Sequence, residues 1–316
     1  MSLQHYCTLF NKNYLGRGLL AYQSLLAQDP KMQLWVLALD SYTEDFLKTL
    51  ALPQLQVIGL AAVETPALLE VKATRTVAEY CWTLTPHWMA WVLGQPEVAA
   101  CTYVDADLYF FDKPSLLWED FWESTCSVFI TPHFYTPTKD YSETCGIYCV
   151  QFLSVKATPA GWAVLREWQH NCLVWCFNRF EPGRFGDQKY LDRWPIDHPE
   201  AVYICQHRGC VAPWNVQQYP DVRQLPIVFY HFHALKWYED YVDLSDFKLT
   251  PAIKTLIYEP YVAAFLMLEN QLKTHFELAY LPDRQQNTPG VIAVLKRVLR
   301  GCYHVQRAPI GALCKT

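Results

Sequence analysis

Two rhythms of apolar and polar positions alternate along the first third of the chain. Short apolar runs of strand length, "QHYCTLF", "MQLWVLALD" and "LQVIGL", are separated by segments whose apolar residues recur at helical spacing, such as "YLGRGLLAYQSLLAQ". Ser41 and Glu44 read as a capping box that opens a helix over "DFLKTLAL". An aromatic-rich stretch from about 76 to 94 reads as a further helix, ending near Gly94-Gln95-Pro96 and leading into the apolar run "AACTYV". Strands that alternate with helices predict an α/β protein with a mostly parallel central sheet covered on both faces.

Beyond Asp107 the rhythm loosens. "CSVFITPHF", "GIYCVQFLSV" and "PIVFYHFHAL" have strand character, and Thr158-Pro159 is an N-cap and first-turn pair for a Trp-rich helix over about 160 to 178. Thr250-Pro251 opens another helical region, and a soft boundary near residue 245 divides the chain into 1–245 and a helical extension, 246–316.

Composition narrows the function classes. With 316 residues, 52% of them hydrophobic and 15% aromatic, the chain can bury a substantial core. A net charge of -5 argues against wholesale nucleic-acid binding through a basic surface, while leaving room for a local basic patch. No apolar run reaches the roughly 18 residues of a membrane span, and "MSLQHYCTLF" lacks the pattern of a secretion signal, so the expected compartment is the cytosol. In that setting the 12 cysteines, many inside apolar runs such as "CLVWCF", read as small buried hydrophobes rather than disulfide or zinc ligands. Neither GxGxxG nor GxxxxGK[ST] occurs.

The candidate chemistry starts at "YVDADLYFF", Tyr103 to Phe111, where Asp105 and Asp107 follow an apolar run. If extended geometry holds, residues i and i+2 share a face and the two carboxylates converge. At ~4 Å they repel by about 4 kcal/mol at an effective dielectric near 20. Water, a shared proton or a cation would relieve this. At the carboxyl end of a parallel strand a hard divalent ion, Mg²⁺ or Mn²⁺, is the economical answer, and such an ion recruits phosphate oxygens. A second constellation is "FYHFHALKW", with His231, His233 and Lys236 close together. Imidazole can join two carboxylates on Mn²⁺ and lysine can neutralise a diphosphate, although a lone histidine also serves simply as a hydrogen-bonded core residue.

Five segments in order give this chain its resemblance to a family. "TLFNKNYLGRGLLAYQSL", "YVDADLYFF", "FGDQKYLDRWP", "APWNV" and "FYHFHALKW" resemble the ordered motifs of GT-A glycosyltransferases, specifically the retaining family 8 and its bacterial relatives, across most of residues 3 to 240. The resemblance implies a GT-A (Rossmann-like) sheet, with 1–245 as the catalytic domain. It implies transfer of a sugar from a nucleotide diphosphate sugar, a UDP-sugar by analogy, to an acceptor hydroxyl on a saccharide, lipid or protein, with retention of configuration. By position, Asp105, Asp107 and His231 would hold the metal. Thr8, Leu9 and Tyr14, with Asp105 and Ala106, would border the nucleotide, Tyr14 being the stacking ring. Lys236 would sit on the diphosphate, while Asp187 and Gln188 would face the transferred sugar. Asp187 has helix capping after Gly186 as its plainer role.

The chain departs from the family pattern in places. Ala234 stands where glycine is usual, no proline lies between Lys236 and Trp237, and Cys149 falls nearest an asparagine beside the sugar. Arg75 aligns only loosely with a basic residue upstream of the acidic pair. Two other readings stay open. One is a sugar-nucleotide-binding protein without activity. The other is a haloacid-dehalogenase-type phosphohydrolase, whose nucleophile loop "DADLY" resembles, although that loop normally follows the first strand. Finally, Val291, Ile292, Val294, Leu295, Val298 and Leu299 oppose Lys296, Arg297, Arg300 and Arg307 in a basic amphipathic tail. Such a tail packs on its own domain or attaches peripherally to an anionic membrane.

Overall fold

The computed structural model describes residues 3–219, 221–276, 281–285 and 288–307. In chain order the elements are β1 (Gln4–Phe10), α1 (Leu15–Gln28), β2 (Met32–Ala38), α2 (Ser41–Leu50), β3 (Leu55–Gly59), α3 (Pro66–Lys72), α4 (Val77–Leu93) and β4 (Ala100–Val104). They continue with β5 (Leu108–Phe110), α5 (Ser115–Glu123), β6 (Val128–Pro132), β7 (Tyr148–Lys156), α6 (Pro159–Val174), β8 (Val202–Ile204), β9 (Cys210–Val211) and β10 (Phe229–His231). The chain closes with β11 (Lys236–Trp237), β12 (Tyr241–Asp243), α7 (Glu259–Phe276), α8 (Val291–Leu299) and β13 (Val305–Arg307).

Seven strands form the central sheet in the order β3-β2-β1-β4-β7-β6-β8. β7 alone runs antiparallel to its two neighbours, and the other pairings are parallel. The expected mostly parallel α/β sheet with helices on its faces is therefore what forms. One apolar cluster packs α1, α5 and α7 against one face, and a second packs α4 and α6 against the other. Strand order turns between β1 and β4, the switch point at whose carboxyl edge open α/β sheets hold ligands.

Local caps follow the side-chain chemistry, with one correction. α2 is capped by Asp40, which accepts from the Thr43 amide at 2.7 Å, and Ser41 is the first helical residue. A carboxylate there also takes the Lys12 amide at 3.0 Å, tying the α2 start to the end of β1. The capping box belongs instead to α4, where Thr76 and Glu79 satisfy each other's amides. Thr158 and Thr250 cap their helices as read, each followed by proline.

Residues beyond 245 join the same core as the sheet. α7 crosses α1 at Gly16, where an added Cβ would lie 2.6 Å from the Phe265 ring. Phe265 stacks on Trp237 at 3.9 Å. Asp283 then accepts from the amides of Gly16 and Arg17 at 2.7 and 3.1 Å, capping α1 from a distant part of the chain. The tail packs on its own domain through β13, which pairs with β12, and through buried Cys302 and His304. α8 forms but buries none of its residues, with Val291, Ile292 and Leu299 between 71% and 86% exposed. It is anchored by Arg297, whose guanidinium grips Asp243 and the Ser245 carbonyl. Residues 308–316 of the tail lie outside the described residues. No described helix is long and apolar enough to cross a membrane.

Candidate metal centre

β4 ends at Val104, and Asp105 to Leu108 is a turn closed by the Leu108 amide on the Asp105 carbonyl at 3.2 Å. The extended geometry expected of the acidic pair therefore does not hold. The turn does not leave the pair solvated either, because Ala106 at its tip is buried and Asp107 is 13% exposed. Leaving the turn, β5 passes into a second, three-stranded sheet, β5-β10-β9, and places Leu108 opposite His231. The Phe232 amide donates to the Asp107 carbonyl at 2.9 Å. Strand pairing between β5 and β10 thus delivers the histidine to the acidic turn.

Ligand atoms of Asp105, Asp107 and His231 all lie within 4.8 Å of one another. His231 Nε2 is 3.1 Å from Asp107 Oδ1 and 3.8 Å from Asp105 Oδ2. The other ring nitrogen, Nδ1, donates to Gln151 Oε1 at 2.8 Å, which turns Nε2 toward the carboxylates. Asp105 is oriented in turn by the Tyr103 hydroxyl at 3.0 Å. Two carboxylate oxygens and one imidazole nitrogen suit a borderline-hard divalent ion such as Mn²⁺.

Charge is unevenly shared. Burial pushes the Asp105 carboxyl up, the His231 charge pulls it down, and the neighbouring Asp107 charge pushes it up again, leaving it at about 6. Asp107 also suffers burial, but the charge and hydrogen bond of His231 outweigh it and hold the carboxyl down at about 2. Burial lowers the His231 ring, yet the two carboxylates overcome this and raise it. Asp187 is buried beside this group, and burial together with the Asp105 charge raises its carboxyl well above the usual range. Its carboxylate caps no helix, since the short turn over 189–193 has no side-chain cap.

The structure gathers some of the expected residues and disperses others. Tyr14, 40% exposed, lies where the charges of Asp105 and Asp107 reach its hydroxyl. Thr8 and Leu9 are buried in β1, with Thr8 Oγ1 unpartnered and the Thr8 carbonyl bonded by Trp88 Nε1 at 2.9 Å. Gln188 donates from its side-chain amide to the Cys145 carbonyl at 2.8 Å, at the end of the short helical turn 142–145 before β7. Lys236 is exposed on β11. Arg75 bonds Thr83 and the Leu173 carbonyl, tying α4 to α6. Trp214 of the "APWNV" segment sets its ring edgewise to His231 at 5.2 Å, and Asn215 locks that loop to the His133 and Cys210 carbonyls.

Two residues here had no role in the motif reading. Gln151 is a fully buried amide within the apolar strand β7, and a carboxamide in the otherwise small or apolar run "VQFLSV" is the signal that finds it. Arg17 is a buried guanidinium beside Tyr14. Its signal is a cation between two glycines on an otherwise uncharged helix.

The fold and this cluster define an α/β protein with a carboxylate–imidazole centre at the switch point of its sheet. The chain belongs to the family of a Bacillus subtilis (strain 168) protein, "Uncharacterized protein YfnF". The two are 33% identical over 248 residues, covering 73% of this chain and 81% of that protein. No protein-family model matches. Among solved structures, mouse xyloside xylosyltransferase 1 in its apo form is similar over 74% of this chain and 98% of its own, at 14% identity and a TM-score of 0.48. The galactosyltransferase LgtC, solved with donor and acceptor sugar analogues, is similar over 73% of this chain and 87% of its own, at 12% identity and a TM-score of 0.49.

Proposed function

We propose that this chain is a metal-dependent glycosyltransferase of the GT-A kind, moving a sugar from a nucleotide diphosphate sugar to an acceptor hydroxyl with retention. The observation that carries the reading is the meeting of Asp105, Asp107 and His231 within 4.8 Å at the carboxyl edge of β4. It supports the role that motif order assigns to those three residues.

In this reading Asp105, Asp107 and His231 hold Mn²⁺ or Mg²⁺, and the donor is a UDP-sugar. The bound ion supplies charge stabilisation to the departing diphosphate. Tyr14 offers its ring to the base, with Thr8, Leu9 and Ala106 along the nucleotide, and Lys236 reaches the diphosphate from the β11 edge. Asp187 and Gln188 face the sugar. Asp187 is raised by burial and by Asp105, so it is a poor nucleophile while it keeps its proton. Donating a hydrogen bond to a sugar hydroxyl suits it better.

The test is release of nucleoside diphosphate from a panel of nucleotide sugars with Mn²⁺, Mg²⁺ or EDTA. Release that requires metal, and is lost in folded Asp107→Asn, supports the reading. Turnover undiminished in that variant overturns it. Metal-dependent binding without release would make the chain a sugar-nucleotide-binding protein. Phosphate release from simple monoesters would make it a phosphohydrolase.

A second reading concerns location. The exposed apolar side of α8, with Lys296 and Arg300 beside it, supports peripheral attachment of a cytosolic protein to an anionic membrane carrying lipid-linked acceptors. Co-sedimentation with phosphatidylglycerol vesicles should fall when Ile292 and Leu295 are both changed to Glu. Equal co-sedimentation of the two proteins removes the idea.

A further inference from the structure

Arg17 is a buried charge to which no motif assigns a role. Its side chain is 4% exposed, and its Nε and Nη2 have no hydrogen-bond partner. Isolated guanidinium groups are rarely buried this way, because the hydration they lose must be returned by an anion or by hydrogen bonds. The neighbouring Asp283 returns part of it through its charge, but neither Nε nor Nη2 bonds its carboxylate. Both of its carboxylate oxygens are taken by the backbone amides of Gly16 and Arg17. The close contact the guanidinium does make is with the Tyr14 ring, 4.3 Å from its carbon.

The surroundings fix where the free donors lie. Arg17 is in the first turn of α1, three residues after Tyr14, the ring assigned to the base. Its charge reaches Asp107, where it joins those of His231 and His233 against the effect of burial. Facing it from α7 is Tyr261, fully buried, whose hydroxyl also has no partner. The Tyr261 ring stacks at 3.7 Å on Phe232, the residue after His231. Arg17 and Tyr261 therefore bring orphaned donors to the space between the base-stacking ring and the acidic turn. In a nucleotide sugar the group spanning base and metal is the diphosphate.

We propose that Arg17, supported by the Tyr261 hydroxyl, is a donor-binding residue that takes a diphosphate oxygen of the nucleotide sugar. This inference rests on the glycosyltransferase reading and adds a cation to it that the family motifs do not name. Guanidinium suits the role because its planar donors address phosphate oxygens in pairs, which an ammonium cannot reproduce. The plainer role, a structural counter-charge for Asp283, would leave nucleotide binding indifferent to the head group.

The experiment measures binding of UDP, UMP and uridine to the full chain with Mn²⁺ by calorimetry, for wild type, Arg17→Met and Arg17→Lys, with GDP, ADP and CDP as base controls. Arg17→Met is expected to weaken UDP by about 10- to 100-fold, the scale of a charge-assisted hydrogen bond, and uridine by less than about twofold. Arg17→Lys should recover part of the loss. If Arg17→Met does not fold, Arg17→Lys and Tyr261→Phe carry the same comparison, each weakening UDP several-fold more than uridine. Unchanged UDP affinity in folded variants, or an equal loss for UDP and uridine, overturns the inference and leaves the glycosyltransferase reading standing. A wild-type chain that binds none of the four nucleoside diphosphates overturns both.

Discussion

Gln151 Oε1 lies 2.8 Å from Nδ1 of His231, and the two side chains come from different sheets. The amide is the orienter of the imidazole, because it leaves only Nε2 to face Asp105 and Asp107. Removing such a partner ordinarily costs metal affinity without touching a ligand. Gln151→Leu is expected to weaken Mn²⁺ binding by about 10-fold with the fold retained, and Gln151→Glu, which keeps the acceptor, to restore it. Paramagnetic resonance titration of free Mn²⁺ measures this. Equal affinity in wild type and Gln151→Leu would show that the hydrogen bond does not orient the ring.

Ala234 has φ of +65°, the left-handed region that an L side chain enters at a cost. It stands where the related motif has glycine, so the departure noted in the sequence carries a backbone penalty. Ala234→Gly relieves that strain and loses part of the gain to unfolded-chain entropy. The expected net is about 0.5–1 kcal/mol of added stability, read from urea midpoints at constant slope. A variant less stable than wild type would contradict this.

Asp283 gives a pH signature. Burial raises its carboxyl from 3.8 to about 6, against the opposing pull of Arg17 and the two capped amides. A group raised on folding takes up its proton in the native state first. Its contribution to stability is therefore complete below about 3.8 and is lost as pH climbs through about 6. Asp283→Asn has no such proton, so its disadvantage relative to wild type should shrink by an amount on the order of 2–3 kcal/mol between pH 4 and pH 7. Denaturant unfolding of both proteins at half-unit intervals reads the difference. A constant gap across that range would mean that Asp283 keeps an ordinary carboxyl.

Gly16 is needed for close approach. An added Cβ would meet the Phe265 ring at 2.6 Å and Leu281 at 2.9 Å, and Phe265 is pinned against Trp237. Gly16→Ala is therefore expected to cost about 1–3 kcal/mol despite improved helix propensity. A thermal midpoint at or above wild type would show that α7 can slide away from α1.

The sheet was legible because its period-two and helical segments are long and sharply bounded by Gly, Pro and capping residues. Thr158-Pro159 and Thr250-Pro251 marked helix starts directly. Ser41 misled because Asp40 beside it is also a capping residue, and a carboxylate that can take two amides wins. The acidic turn is not visible in the local pattern. Spacing of two suggested an extended pair, whereas β5–β10 pairing with His231 is a long-range fact that no local pattern contains. For the same reason Gln151 and Arg17 escaped notice, since their roles depend on neighbours from distant elements.

The clasp of Asp283 on the first turn of α1 joins residues 267 positions apart. During synthesis the Gly16 and Arg17 amides of the opening helix have to wait for residue 283 to leave the ribosome before this partner reaches them. Any product ending short of that aspartate carries the acidic turn and its histidine but leaves these two amides of the helix beside them without their carboxylate.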